Sequence, residues 1–213
     1  MKTYYLTGLL AVGLLFAASA AEAVNVASGT SVIFPTNATI PAATGVNVVA
    51  TQVNASNNQF GQVVTSLNFD TAGSLTFVPT TGNWLSQQFF AIDIGVAGGG
   101  ANVGVVTKYT EGTLPSGQTH GLGYKATADF RKVTTAGVTQ SETALAAGKK
   151  VLKDVAAGIT TQPAELSGGF FRLYLAIFDG ADASIKAAGG ETFTNADRPG
   201  TYTGTLTVTA TLS

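Results

Sequence analysis

The chain has 213 residues, no cysteine, one tryptophan and one histidine, and only 11% of its residues are charged, 11 basic against 12 acidic. Without cysteine there is no thiol catalysis, disulfide, thiolate metal centre or covalent haem attachment, and a near-neutral chain without a basic stripe has no nucleic-acid footprint. A composition dominated by Gly, Thr, Ala and Val favours packed strands and small turns over a solvated helical protein.

Met1 and Lys2 open the chain, an apolar run follows over residues 6–18, and Ala21-Glu22-Ala23 is a small-x-small cleavage site, with Ala18-Ser19-Ala20 as a second. Residues 1–23 therefore read as a secretory signal peptide. The run is shorter than the ~20 residues a spanning helix needs, so no stable membrane span is expected after its removal. The expected location is extracellular. Charge is sparse in the first half of the remainder: between residues 24 and 107 only Asp70 and Asp93 carry it, and every basic residue after Lys2 lies from Lys108 onward. Such a surface does little to repel copies of itself.

Strand signals then recur at short intervals. Residues 45–53 alternate through Val46, Val48 and Ala50, and residues 62–69 through Val63, Thr65, Leu67 and Phe69. Residues 74–78 follow a turn at 71–73. Residues 88–96 carry Phe90, Ile92 and Ile94 in register, and 102–109 form a further strand. A polar loop with Pro115 precedes a strand marked by Tyr124, Ala126, Ala128 and Phe130, opposed by Lys125, Thr127, Asp129 and Arg131. Residues 140–157 differ. Ala, Leu, Lys and Glu predominate, Leu145, Leu152 and Val155 fall at helical spacing, and Thr139 and Glu142 have capping-box spacing, so a short helix is expected there; Gly148 weakens it, and 151–155 also fits a strand. Residues 170–178 are apolar on both faces apart from Arg172 and read as a central strand. A long loop, or a loop plus hairpin, spans 179–200. The spacing predicts a single all-β sandwich over residues 37–213, preceded by an N-terminal extension at 24–36.

The chain closes on Tyr202-Thr-Gly-Thr-Leu-Thr-Val-Thr-Ala-Thr-Leu-Ser213. Tyr202, Leu206, Val208, Ala210 and Leu212 point one way and the threonines the other, as alternation along a strand requires. Gly200 stands fourteen residues from the end, counting Ser213 as the first. This ending resembles the closing strand of chaperone–usher fimbrial subunits and related secreted pilin-like domains, which place a glycine at the same distance and follow it with alternate apolar residues. The penultimate aromatic typical of that family is Leu212 here, and the disulfide of several pilin families is absent. The resemblance implies an Ig-like, pilin-like sandwich lacking one strand. A neighbouring copy supplies that strand in the polymer, and a periplasmic chaperone fills the groove before assembly. The physics is β-augmentation: main-chain hydrogen bonds supply affinity and alternate side chains fill pockets. The candidate donor face is Val24, Val26, Val32 and Phe34, interrupted by Ser28 and Thr30 and ended by Pro35. The alternative is that this segment is the first strand of a complete sandwich.

Chemical motifs are sparse. His120 is the only histidine and lies in a polar loop. No Gly-x-Ser-x-Gly elbow is present. Asp179 and Asp182 flank Gly180 without the spacing of an EF-hand loop. Asn37-Ala-Thr39 and Asn54-Ala-Ser56 match the glycosylation pattern. Trp84, Phe89 and Phe90 are aromatic candidates for a pocket, with core packing as the alternative. The expectation is a non-enzymatic subunit of an extracellular filament, without cofactor, whose partners are copies of itself. A monomeric carbohydrate- or surface-binding module is the alternative, and a secreted hydrolase acting through paired carboxylates is a third reading.

Overall fold

A computed structural model describes residues 24–26, 31–34, 45–69, 75–96, 102–136, 138–156, 158–160, 164–165 and 168–212. The expected signal peptide, the turn at 71–73 and the acceptor pattern at Asn37 lie outside them.

The strands are β1 (Val24–Val26), β2 (Ser31–Phe34), β3 (Val46–Asn54), β4 (Phe60–Val64), β5 (Thr76–Val78), β6 (Asn83–Leu85), β7 (Gln88–Val96), β8 (Asn102–Glu111), β9 (Ala126–Ala136), β10 (Thr139–Val151), β11 (Ile159–Thr160), β12 (Ala164–Glu165), β13 (Gly169–Ile177), β14 (Phe193–Thr194) and β15 (Gly204–Leu212). Two short helices, α1 (Leu122–Lys125) and α2 (Ala183–Ala187), and a 3-10 turn at Leu152–Val155 complete the described elements. A seven-stranded sheet runs β1-β3-β7-β13-β9-β10, with β4 sharing the outer edge of β3 with β1. A five-stranded sheet runs β11-β8-β15-β2, with β12 also on β8, and β14-β6-β5 forms a small third sheet. The described pairings are antiparallel.

The two large sheets enclose one core, so the fold is an all-β sandwich. Val46, Val48 and Ala50 of β3, Phe90, Ile92 and Ile94 of β7, and Leu173 and Leu175 of β13 meet Val103 and Val105 of β8 and Leu206, Val208 and Ala210 of β15. These are the alternate positions of each strand, as the pleat dictates. The central place expected for residues 170–178 holds: β13 lies between β7 and β9.

The helix expected at 140–157 does not form. Thr139–Val151 is a strand paired to β9, with a register shift between Ala144 and Lys149 that takes up extra residues, and Gly148 adopts φ +58°. A lone helix of this length is marginal, so cross-strand pairing outweighs the helical propensity of Ala, Leu and Lys. Glu142, which would have closed a capping box, instead accepts hydrogen bonds from Arg172 and Tyr174. Helical spacing survives only in the 3-10 turn, which buries Leu152 and Val155. Tyr124 also departs from its expected strand and lies in α1. The segment 179–200 holds α2 and β14 rather than a plain loop.

Candidate assembly edge

The terminal strand β15 is internal to its sheet. Nine register pairs join it to β8, and four, Leu206 to Phe34 through Thr209 to Ser31, join it to β2. Leu206, Val208 and Ala210 are buried and Leu212 is half-buried against the core. The threonines occupy the opposite face, as expected from alternation.

The candidate donor residues separate. Val32 and Phe34 stand opposite Val208 and Leu206 on β15, whereas Val24 and Val26 stand opposite Val48 and Val46 on β3, in the other sheet. The expected single strand is thus two short ones on different sheets, and residues 27–30 between them lie outside the described ones. In this fold β2 occupies the edge position next to β15 within its own chain.

Gly200 and Tyr202 set the entry into β15. Gly200 has φ +142°, and a Cβ there would meet Pro115 at 3.0 Å and 3.2 Å. The Tyr202 hydroxyl donates to the Arg198 carbonyl at 2.7 Å, and its ring meets Phe193 edge-on at 5.0 Å. Gly200→Ala therefore adds both backbone strain and a clash, and is expected to lower stability by about 1–3 kcal/mol in urea unfolding; an unchanged midpoint would show that the turn relaxes freely.

Two polar clusters lie outside this edge. On the outer face of the seven-stranded sheet, Arg172 forms a fork on Asp93, Nε to Oδ1 at 2.6 Å and Nη2 to Oδ2 at 2.8 Å, while Nη1 reaches Glu142 at 2.9 Å. The guanidinium lies over Phe60 and Phe170 at 4.5 Å and 5.0 Å, and Arg172 is only 4% exposed. Burial opposes its charge, but Asp93 and Tyr174 outweigh that and raise its pKa.

The second cluster joins α1 to the loop before β15. Lys125 Nζ is 2.9 Å from Asp197 Oδ1, 3.1 Å from Glu191 Oε2 and 3.0 Å from the Thr192 carbonyl, and its side chain is 5% exposed. Glu191 also meets His120 Nδ1 at 2.8 Å, and the His120 ring stacks on Tyr124 at 4.0 Å. A cleft of about 470 Å³ opens beside Lys125, Glu191 and Asp197. Burial alone would raise the Asp197 carboxyl, but hydrogen bonds from Lys125 and the Thr194 N–H hold it below the ordinary carboxylate range.

The remaining candidates serve local structure. Asp179 accepts the Ala181 N–H, and Asp182 caps α2. Among the described residues, no three His, Asp or Glu side chains are grouped to hold a metal ion. Asn54 accepts from the Ser56 N–H and hydroxyl in an exposed turn. Phe90 is core, Phe89 packs on Tyr174 and Trp84 on Phe77, so the three aromatics do not share a pocket.

Asp182 supplies a pH test. The Ser184 hydroxyl, then the Ile185 N–H and Lys149, pull its pKa from 3.8 down to about 2. Its folded value is the lower one, so its contribution is present above pH 3.8 and fades as pH falls from 3.8 toward about 2. The protection factors of the Ser184 and Ile185 amides, taken against the intrinsic exchange rate at each pH, are expected to fall over that window, and those of Asp182→Ala to be low throughout. Protection that is flat with pH would contradict the cap.

No family model, curated protein or solved structure matches the chain.

Proposed function

We propose that this protein is a structural subunit of an extracellular filament, assembled by donation of an N-terminal β-strand from one copy to the next. One observation carries the reading. β2, near the start of the chain, is held to the sheet by a ladder of four register pairs on β15, which is itself anchored by nine on β8. A short outer strand on a fixed neighbour is the element most readily exchanged, because the same ladder forms equally well between two copies. The sparse charge of the chain is compatible with close self-association. Export, and a chaperone that guards the edge before assembly, belong to the same proposal. Electron microscopy of the processed protein at rising concentration is expected to show uniform filaments with a subunit-scale repeat. Monodisperse particles at every concentration would remove the reading.

The outer face of the seven-stranded sheet favours a second reading, a saccharide-binding module. An open groove of about 260 Å³ is lined by Phe89, Tyr174, Asp129 and Lys149 among others, and Phe60 nearby is 48% exposed. Aromatic rings beside carboxylates suit a polyhydroxylated ligand. Saturable glycan-array binding lost in Tyr174→Ala would favour it, and a blank array would dismiss it.

A further inference from the structure

The Lys125 cluster holds more than an ion pair needs. The ammonium nitrogen lies at hydrogen-bond distance from one oxygen of Asp197, at 2.9 Å, with a second carboxylate, Glu191, at 3.1 Å. Both oxygens of Asp197 are also held by neutral donors: Gln118 Nε2 donates to Oδ1 at 3.0 Å and the Thr194 N–H donates to Oδ2 at 2.7 Å. The Thr194 hydroxyl adds a longer bond to Oδ2 at 3.4 Å. The Phe193 ring lies 5.6 Å from the ammonium, and the Lys125 side chain is 5% exposed. The backbone of Lys125 is fixed at both ends, its N–H donating to the Gly121 carbonyl and its carbonyl accepting from Phe178.

We infer that Lys125 and Asp197 become joined by an intramolecular amide bond, formed by the folded chain itself with Glu191 carrying the proton. The nucleophile is Lys125 Nζ and the electrophile is Asp197 Cγ. Glu191 takes a proton from the ammonium and frees the nitrogen lone pair. That pair forms the new N–C bond while the carbonyl π electrons move onto Oδ2, where the Thr194 N–H stabilises the developing charge as an oxyanion-hole donor does. Glu191 returns its proton to Oδ1, carries a second proton from the nitrogen to the same oxygen, and the electron pair on Oδ2 re-forms the carbonyl as the C–Oδ1 bond breaks and Oδ1 leaves as water. The sum is ammonium plus carboxylate giving amide plus water, with no oxidant, reductant or other reactant.

Two general effects favour the step. Fixed proximity replaces an intermolecular collision. Partial exclusion of water favours converting two charged groups into one neutral amide. The starting state is the ion pair, since the Asp197 carboxyl lies below its ordinary range, so the reaction begins with proton transfer and is expected to be slow relative to folding. His120 acts through Glu191, which its 2.8 Å contact orients, and is a positioning residue. The bond would close the chain between α1 and the loop before β15. In a chain without cysteine, that closure would do what a disulfide does, restricting the unfolded ensemble.

The test is the intact mass of the purified full-length processed protein under denaturing conditions, followed over days. The expected result is a mass lower by one water than its own termini dictate, with a branched tryptic peptide joining Lys125 to Asp197. Lys125→Arg keeps a cation between the two carboxylates but offers no comparable nucleophile, and Asp197→Ala removes the electrophile; both are expected to show full mass. Circular dichroism of the Arg variant confirms that it folds. Glu191→Gln is expected to slow the loss of water at least tenfold. Full mass in the wild-type chain after prolonged incubation would overturn the inference. A one-water deficit that persists in Lys125→Arg would also overturn it, because it would mark succinimide formation at an aspartate instead of an amide to Lys125. Wild-type rates in Glu191→Gln would remove that residue from its role.

Discussion

Arg172→Ala is expected to destabilise the fold by about 3–5 kcal/mol, the cost of breaking a buried ion pair from one side. The residue is 4% exposed and sits in the central strand β13. Its removal takes away the cation that Asp93 and Glu142 share and leaves Glu142 only the more distant Arg131, at 4.0 Å. It also removes the planar group on which Phe60 and Phe170 rest. Lost ion pairing and lost packing therefore act together. Arg172→Lys restores the charge but not the two-pronged geometry on Asp93, and is expected to recover only part of the loss. A triple replacement with Asp93→Asn and Glu142→Gln, which removes the orphaned charges, is expected to be milder than Arg172→Ala alone. Guanidinium unfolding of the four proteins is the measurement. A loss below about 1 kcal/mol for Arg172→Ala, the range of exposed pairs, would mean that water reaches the cluster freely.

Deletion of residues 24–34 is expected to abolish polymerisation and leave a soluble subunit that binds a synthetic peptide of the same residues. The segment supplies strands to both large sheets, β1 on β3 and β2 on β15. Without it, the deletion exposes the edge of β15, which carries buried Leu206, Val208 and Ala210 on its inner face. An open, apolar-backed edge of that kind recruits another strand. Light scattering should show filament growth in the full chain and none in the deletion. Calorimetry should show peptide binding at one per subunit. A deletion that polymerises normally would exclude this segment as the donor, and one that forms no filaments yet ignores the peptide would show that the edge accepts no strand.

The strands with clean alternation are legible in the sequence. β3, β7 and β15 follow from Val46-x-Val48-x-Ala50, Phe90-x-Ile92-x-Ile94 and Leu206-x-Val208-x-Ala210, because one buried face writes itself into every second residue. β13 was legible for a different reason: an apolar run on both faces demands neighbours on either side. β10 was not. Its Ala, Leu and Lys content carries a helical preference that only pairing with β9 overrides, and pairing is invisible within one segment. The polar clusters were hidden for the same reason. Arg172 stood out as a charge inside an apolar run, but its partner Asp93 lies 79 residues away. Lys125 alternates with Ala126 as an outward residue would, yet it is buried, because Glu191 and Asp197 arrive from the loop before β15. At the candidate edge, the register of Val32 and Phe34 against β15 agrees with the alternation, while the division of residues 24–34 between two sheets depends on their arrangement in space.

Strand donation itself is tested most directly by trapping it. Ser31 and Thr209 are register partners across β2 and β15, and the native chain has no cysteine to compete. Facing residues of an antiparallel pair stand about 4.5–5.5 Å apart between Cα atoms, within disulfide range. Two variants, Ser31→Cys and Thr209→Cys, would be mixed under assembly conditions and oxidised. Donation between copies predicts a disulfide-linked species containing one chain of each variant, and a ladder of linked chains when both substitutions are carried together. Linkage confined within single chains of the double variant, with no mixed dimer from the single ones, would show that β2 completes its own sheet and would contradict the account.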